Sequence, residues 1–362
     1  MRVALVHDWL VGGGAEKVVL ELHKMYPEAP IYTSYCTPEW RRKLGRRVVT
    51  GWLQNEPFGR LRKYIPFLRM WWFSRLKLKG FDLVISSSGA EAKGVKVPRG
   101  TLHIAYIHAP THYYWGRYEE YLRKPGFGKF DWLARIGLKL LVAPLRRWDY
   151  KAAQKADYLI ANSSHTQFGI KKYYDRDSTL IFPPVDTNKF KYDKNTTRKG
   201  FVISGRHTPY KRFDLAVQAC SELDLPLIVA GKGPEYARLR AMAGPAVRFT
   251  GYVSDDQVAK LVAGAEGFIF PGVDDFGISP VEALASGTPV IAYKAGGALD
   301  YITERTGLFF EEQTAKSLIE ALQSFKSSNY SAGEIRRFAE RFSVEAFQTS
   351  FEDVIRVFSK GR

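Results

Sequence analysis

Short apolar runs alternate with helical patterns along nearly the whole chain. Residues 3–6, 81–85, 103–107, 157–161 and 179–182 are mostly apolar runs of four or five, bounded by Gly, Ser, Pro or Asp. The same holds for 201–204, 226–230, 247–250, 268–270, 289–293 and 307–310. Runs this short are strands, and continuous apolar character marks strands buried on both faces. Apolar residues at helical spacing fill the intervals, as in Ala15, Val18, Val19 and Leu22, or in the segments 213–219 and 280–285. Strands alternating with helices predict parallel sheets in an α/β fold.

A chain of 362 residues with 45% hydrophobic content makes about two such domains. Pro183-Pro184-Val185-Asp186 and the polar run from Lys191 to Lys199 mark the boundary between them. The expected division is 1–190, a Rossmann-like first domain, and 191–343, a second one, with a helix over 344–362 returning to the first. Cys36 and Cys220 lie far apart and match no metal spacing, which fits a reducing compartment. The N-terminal run is a first strand rather than a signal peptide, and no apolar stretch approaches the roughly 20 residues of a spanning helix.

Charge separates the two halves. Net charge is +17; residues 1–186 hold 31 Lys+Arg against 16 Asp+Glu, whereas residues 187–362 hold 23 against 21. Within 41–79 stand 12 basic residues and one acid, Glu56, interleaved with Trp52, Phe58, Tyr64, Phe67, Trp71, Trp72 and Phe73. Cations for anionic head groups and aromatics for the boundary predict an interfacial membrane surface, against the plainer reading of a solvated basic face over core aromatics. Residues 132–150 repeat the basic-amphipathic pattern. A nucleic-acid partner would also explain the charge, but the basic excess sits with aromatics and amphipathic spacing.

The densest chemistry lies between Phe268 and Gly297. A strand ends at Pro271-Gly272, Asp274 and Asp275 occupy the turn, Gly277 bares backbone, and Pro280 opens a helix that stops at Gly287. A helix start suits a phosphate. Asp274 and Glu282 on either side of it suit hydroxyls, since each carboxylate accepts O–H donors. A diphosphate with sugars at both ends, a nucleotide sugar, satisfies both. Arg206 and Lys211, in the loop after 201–204, form a fork and a point charge suited to a diphosphate. The loop Gly12-Gly13-Gly14 between first strand and first helix has a phosphate-approach geometry, but neither the dinucleotide nor the P-loop fingerprint. His108 follows a strand end, where ligands bind in open α/β sheets. Tyr113, Tyr114 and Trp115 begin an aromatic run on which an acceptor sugar would stack. Asp175-Arg176-Asp177 reads as a polar turn rather than a metal motif.

These residues together resemble the retaining glycosyltransferases of family 4, of GT-B fold, over nearly the whole chain and most strongly over 201–310. The resemblance implies two Rossmann-like domains facing a central cleft, with the donor held by the second. Glu282 matches the acid that holds the nucleotide ribose, and Asp274 the acid that contacts the donor sugar; the family usually has the longer Glu there, so Asp275 is the alternative for that contact. Phe276, Gly277, Ile278 and Ser279 match its contacts to sugar and phosphate, Arg206 and Lys211 its diphosphate clamp, and Val253 its backbone contact to the base. Gly13 and Gly14 match its N-terminal glycine loop, and His108 a histidine beside the donor sugar. Catalysis would then fall to His108, Asp274, Arg206 and Lys211, with no metal and no cofactor beyond the donor. The His-Ala-Pro strand end, the aromatic run and Pro-Pro-Val-Asp-Thr resemble mannosyltransferases of surface-polysaccharide and lipid-linked oligosaccharide pathways. GDP-mannose is the first expectation and a UDP-sugar the second. The enzyme is expected in the cytoplasm, at the membrane's inner face. A sugar-nucleotide epimerase shares the fold, but needs acids that the first domain scarcely offers beyond Asp8.

Overall fold

A computed structural model describes residues 1–360 apart from 63–64, 124, 126–127, 129–130 and 192–196. Tyr64 and most of the polar run 191–199 lie outside the described residues. The chain divides into two compact units, Met1–Phe182 and Pro183–Arg362.

Among the described residues the first unit holds seven strands: β1 (Val3–His7), β2 (Ile31–Thr33), β3 (Val48–Val49), β4 (Leu83–Ser88), β5 (Leu102–Ile107), β6 (Tyr158–Ala161) and β7 (Thr179–Leu180). They form one sheet in the order β3-β2-β1-β4-β5-β6-β7, every pair parallel. The second unit holds β8 (Phe201–Ser204), β9 (Leu227–Ala230), β10 (Val247–Gly251), β11 (Gly267–Phe270), β12 (Val290–Tyr293) and β13 (Gly307–Phe310). Their order, β10-β9-β8-β11-β12-β13, is again wholly parallel. Each sheet reverses its winding once, between β1 and β4 and between β8 and β11. Loops leaving the C-terminal ends of strands beside such a reversal frame the usual ligand crevice of doubly wound sheets.

The apolar runs are buried as expected: β1, β4, β5, β8 and β11 have no exposed position. Helix starts follow local chemistry. Ser163 accepts from Thr166 N–H to start Ser164–Tyr174, and Ser254 and Gln257 form a reciprocal capping box at Asp255–Ala263. Asp175 ends the helix Ser164–Tyr174 in the left-handed region at φ 49°, while the Arg176 guanidinium binds the carbonyls of Ala153, Ala156 and Asp157. The Asp175-Arg176-Asp177 segment is thus a helix stop with its arginine turned inward.

The basic segment 41–79 departs from the picture of one amphipathic surface. Trp72 is 7% exposed and Phe73 is fully buried, packed with Leu53, Leu78 and Val84, and Trp52 and Phe58 lean on the same cluster. Phe67 and Trp71 stay outside, at 47% and 45%. The helix Pro66–Ser74 therefore turns Trp72 and Phe73 into the core, a consequence of its 3.6-residue period that tallying aromatics does not resolve.

Candidate functional site

In the second unit the two loops beside the winding reversal carry most of the residues singled out above. β8 leads through Gly205 to Arg206, which is exposed, and to a single 3-10 turn, Pro209–Lys211. β11 leads through Pro271-Gly272 to Asp274. The Lys211 ammonium donates to Asp274 Oδ2 at 2.8 Å, with the two side chains 18% and 15% exposed. The loops are pressed together behind that pair: a Cβ on Gly272 would sit 2.7 Å from Lys211 Cα. Gly272 is required here by close approach of backbone.

The helix after Asp274 spans Ile278–Ala285, two residues earlier than Pro280 suggested. Pro280 costs nothing in a first turn, whose N–H groups have no intrahelical acceptor. Gly277 precedes it at φ 85°, and a Cβ there would meet Phe270 Cζ and Tyr301 Oη, each at 2.8 Å. Its missing side chain makes room for this internal packing. The Phe276 ring is buried at 3% between Tyr301 and Phe342, and Tyr301 donates to the Phe276 carbonyl at 2.9 Å. Phe276 thus offers a ligand its backbone and not its ring. Ile278 and Ser279 are half-buried at the helix start, and Glu282, one turn on, is 8% exposed. Gly297 N–H donates to the Asp274 carbonyl at 3.0 Å, so the loop after β12 braces the acidic turn. Val253 is half-buried just beyond β10, beside Tyr252, which is 82% exposed.

The corresponding edge of the first unit is also polar, and differently organised. The glycine loop is exposed, but Glu16, 4% exposed, accepts from Val11 N–H at 3.1 Å and Gly12 N–H at 2.9 Å. A carboxylate thus already occupies two N–H groups just ahead of Gly13 and Gly14, which disfavours a phosphate at those two. Asp8 is similarly committed, accepting from the N–H groups of Gly89, Ala90 and Ala92 at 2.7–2.9 Å. His108 follows β5 and shares a 2.7 Å hydrogen bond with Ser87 Oγ, while His7 Nδ1 lies 2.8 Å from the Ser87 carbonyl. The two imidazoles meet edge to face at 6.1 Å.

Beneath this edge lies a buried charge network that the motifs did not reveal. Arg69 clasps Glu91 through two bonds of 2.7 and 2.8 Å, and Lys93 pairs with Asp149 at 2.7 Å, all four side chains at most 1% exposed. Burial pushes the Glu91 carboxyl up, against the pull of the Arg69 guanidinium. Asp149 also accepts from Thr111 Oγ1, Trp115 Nε1 and the Tyr174 hydroxyl at 2.7–2.8 Å. The aromatic run belongs largely to this network. Tyr114 is 1% exposed, so it offers no ring face for sugar stacking, and Trp115 stacks on Tyr173 at 4.9 Å. Tyr113 and Trp115 remain half-buried. Residue type and spacing gave no signal for it, since Glu91 and Lys93 just after a Ser-rich strand end read as ordinary solvated loop charges.

Comparison with known proteins bears on the family and the fold. Residues 12–189 match the family described as Glycosyltransferase Family 4, and residues 184–342 the family described as Glycosyl transferases group 1. A GDP-mannose-dependent alpha-(1-6)-phosphatidylinositol dimannoside mannosyltransferase of Mycobacterium tuberculosis is 36% identical over 114 residues, 29% of this chain and 30% of that protein. The lipopolysaccharide core biosynthesis mannosyltransferase LpsB of Rhizobium meliloti is 27% identical over 231 residues, 55% of this chain and 65% of that one. The chain thus spans about a third to two thirds of the length of these curated relatives. The crystal structure of HepE from Anabaena in complex with UDP superposes with a TM-score of 0.72 over 99% of this chain and 100% of that one, at 17% identity.

Proposed function

Since the chain belongs to the GT-B glycosyltransferases of family 4, we propose that it moves a hexose from a nucleotide diphosphate sugar to a lipid-linked or polysaccharide acceptor, retaining the anomeric configuration. The observation that carries this reading is the meeting of Lys211 and Asp274 at 2.8 Å, beside the start of a helix that holds Glu282. Cations, helix-terminal N–H groups and acids there match, in turn, the diphosphate, the leaving group and the hydroxyls of such a donor.

In the proposed reaction the acceptor oxygen bonds to the sugar's anomeric carbon as the bond to the diphosphate breaks, and the departing diphosphate oxygen takes the acceptor's proton. Arg206, Lys211 and the N–H groups around Ser279 stabilise the charge that develops on that oxygen. Glu282 receives the ribose hydroxyls, Asp274 those of the sugar, and backbone near Val253 the base. The first unit binds the acceptor, and the His7–Ser87–His108 chain is its polar contribution. Mannose from GDP-mannose is favoured by relatives named as mannosyltransferases, two of them at 36% and 39% identity over about 115 residues. A UDP-sugar is the second reading, since HepE was solved with UDP. An epimerase is disfavoured because Asp8 spends its carboxylate on three backbone N–H groups. The acceptor places the protein peripherally on the inner face of an anionic membrane; no helix among the described residues is long and apolar enough to cross one.

A thermal-shift panel of GDP-, UDP- and ADP-sugars tests the reading. A ligand at 100 times its dissociation constant raises stability by about 2.7 kcal/mol. If no nucleotide sugar shifts the melting temperature, the donor assignment fails.

A further inference from the structure

The helix Asp131–Ala153 is buried toward its C-terminus, while nearer its N-terminus Arg135 donates to the carbonyls of Leu122 and Arg123 at 3.1 Å. Leu145, Asp149, Ala152 and Ala153 are buried, and Asp149 is fixed by Lys93, Thr111, Trp115 and Tyr174. Toward the N-terminus, Trp132, Leu133, Ile136 and Leu140 are exposed by 60, 53, 48 and 72%. At 3.6 residues per turn these four fall within an arc of about 100°, roughly opposite the buried positions. Exposed Arg135 and Lys139 run along one edge of that arc, and no Asp or Glu occurs from Trp132 to Trp148. On the N-terminal side of Pro144 the helix thus presents a continuous apolar ridge with a cationic margin.

We propose that this ridge docks on an anionic lipid bilayer, the apolar side chains entering the head-group boundary while Lys139 meets the phosphates. This deepens the membrane reading above and rests on it. Charge selects the occupant: a second copy of the chain would bring an equally basic ridge and a net +17 against it, whereas an anionic surface attracts both features at once. A neighbouring helix adds exposed apolar residues. Pro66–Ser74 shares the cluster Met70–Tyr114–Leu145 with this one and leaves Phe67, Leu68 and Trp71 exposed. The ridge is distinct from the 41–79 segment, whose Trp72 and Phe73 are core.

The experiment is flotation of the full chain with vesicles of phosphatidylcholine alone or mixed with phosphatidylglycerol, alongside its melting temperature with GDP and UDP. Wild type is expected on the mixed vesicles. The double variant Ile136→Asp/Leu140→Asp should partition at least roughly tenfold less, and Lys139→Gln should weaken the preference for phosphatidylglycerol, with melting temperatures unchanged. Equal flotation of the first double variant overturns the proposal. So does a wild-type dimer in sedimentation that this variant converts to monomer, since the ridge would then meet a second copy. Vesicle binding without any nucleotide shift sinks the donor reading and leaves the docking ridge standing.

Discussion

Lys211 and Asp274 come from loops 63 positions apart and meet at 2.8 Å where the second sheet reverses its winding. The lysine assigned to the diphosphate is therefore already partnered by the acid assigned to the sugar. Such a pair orients both chains, and it also sets a competition, because a diphosphate must share or take over the ammonium.

That competition predicts opposite effects from its two members. Lys211→Ala removes a charge-assisted hydrogen bond to the diphosphate, about 1.5–3 kcal/mol, and should weaken GDP or UDP binding ten- to hundredfold. Asp274→Asn frees the ammonium, so the nucleotide diphosphate should bind at least as tightly while sugar transfer falls. Calorimetric titration of both variants decides; weaker nucleotide binding by Asp274→Asn would show that the acid supports the clamp and does not compete with it.

Glu282 stands one turn inside a short helix at 8% exposure. Removing its charge in Glu282→Gln should cost nucleotide affinity by about 1.5–3 kcal/mol and leave the melting temperature without ligand within a few degrees. Unchanged affinity for GDP and UDP would remove the ribose assignment.

Trp71 and Trp72 are neighbours in sequence and opposites in structure. Trp72 packs in the first unit's core so closely that a Cβ on Gly51 would collide with its indole, whereas Trp71 is exposed under Arg75 at 4.3 Å. Trp72→Ala should destabilise the protein by about 3–5 kcal/mol; Trp71→Ala loses an exposed cation–π contact of about 0.5–1 kcal/mol. Urea unfolding of both variants checks this, and similar losses would contradict the burial.

The α/β class and the parallel strands of the second unit were legible because its strands are uninterrupted apolar runs and its motifs sit at strand ends. Arg206, Lys211, Asp274 and Glu282 could be picked out for the same reason. Three things were not legible. The Phe276 ring packs against Tyr301 and Phe342, up to 66 positions away, and the space a Gly277 side chain would need is taken by Phe270 and Tyr301, which leaves the backbone contact expected of Gly277 untouched. Tyr114 stands in an aromatic run that suggested sugar stacking, but it bonds Glu91 and packs with Met70 and Leu145. Glu16 sits at a helical position, but its carboxylate turns back onto the glycine loop. Each depends on long-range or turn geometry that residue type and spacing do not encode.

Acid should weaken the fold through His103. The imidazole is 1% exposed in β5, with Nε2 2.9 Å from Ser86 Oγ, and burial pushes its pKa down to about 4 although the Asp157 charge pulls the other way. Burial also lowers His207. In the unfolded chain a histidine titrates near 6.5. Between pH 6.5 and about 4 the unfolded chain therefore holds a proton that folded His103 refuses, so stability is lost as pH falls through that window and the loss levels off below it. For His103 alone this amounts to about 2 kcal/mol by pH 5, where most carboxylates are still ionised. His103→Gln removes the titration and keeps a polar group near Ser86. Denaturant unfolding at pH 7.5 and pH 5 should show the wild type losing about 2 kcal/mol more than the variant; parallel losses would mean that His103 takes up its proton without unfolding.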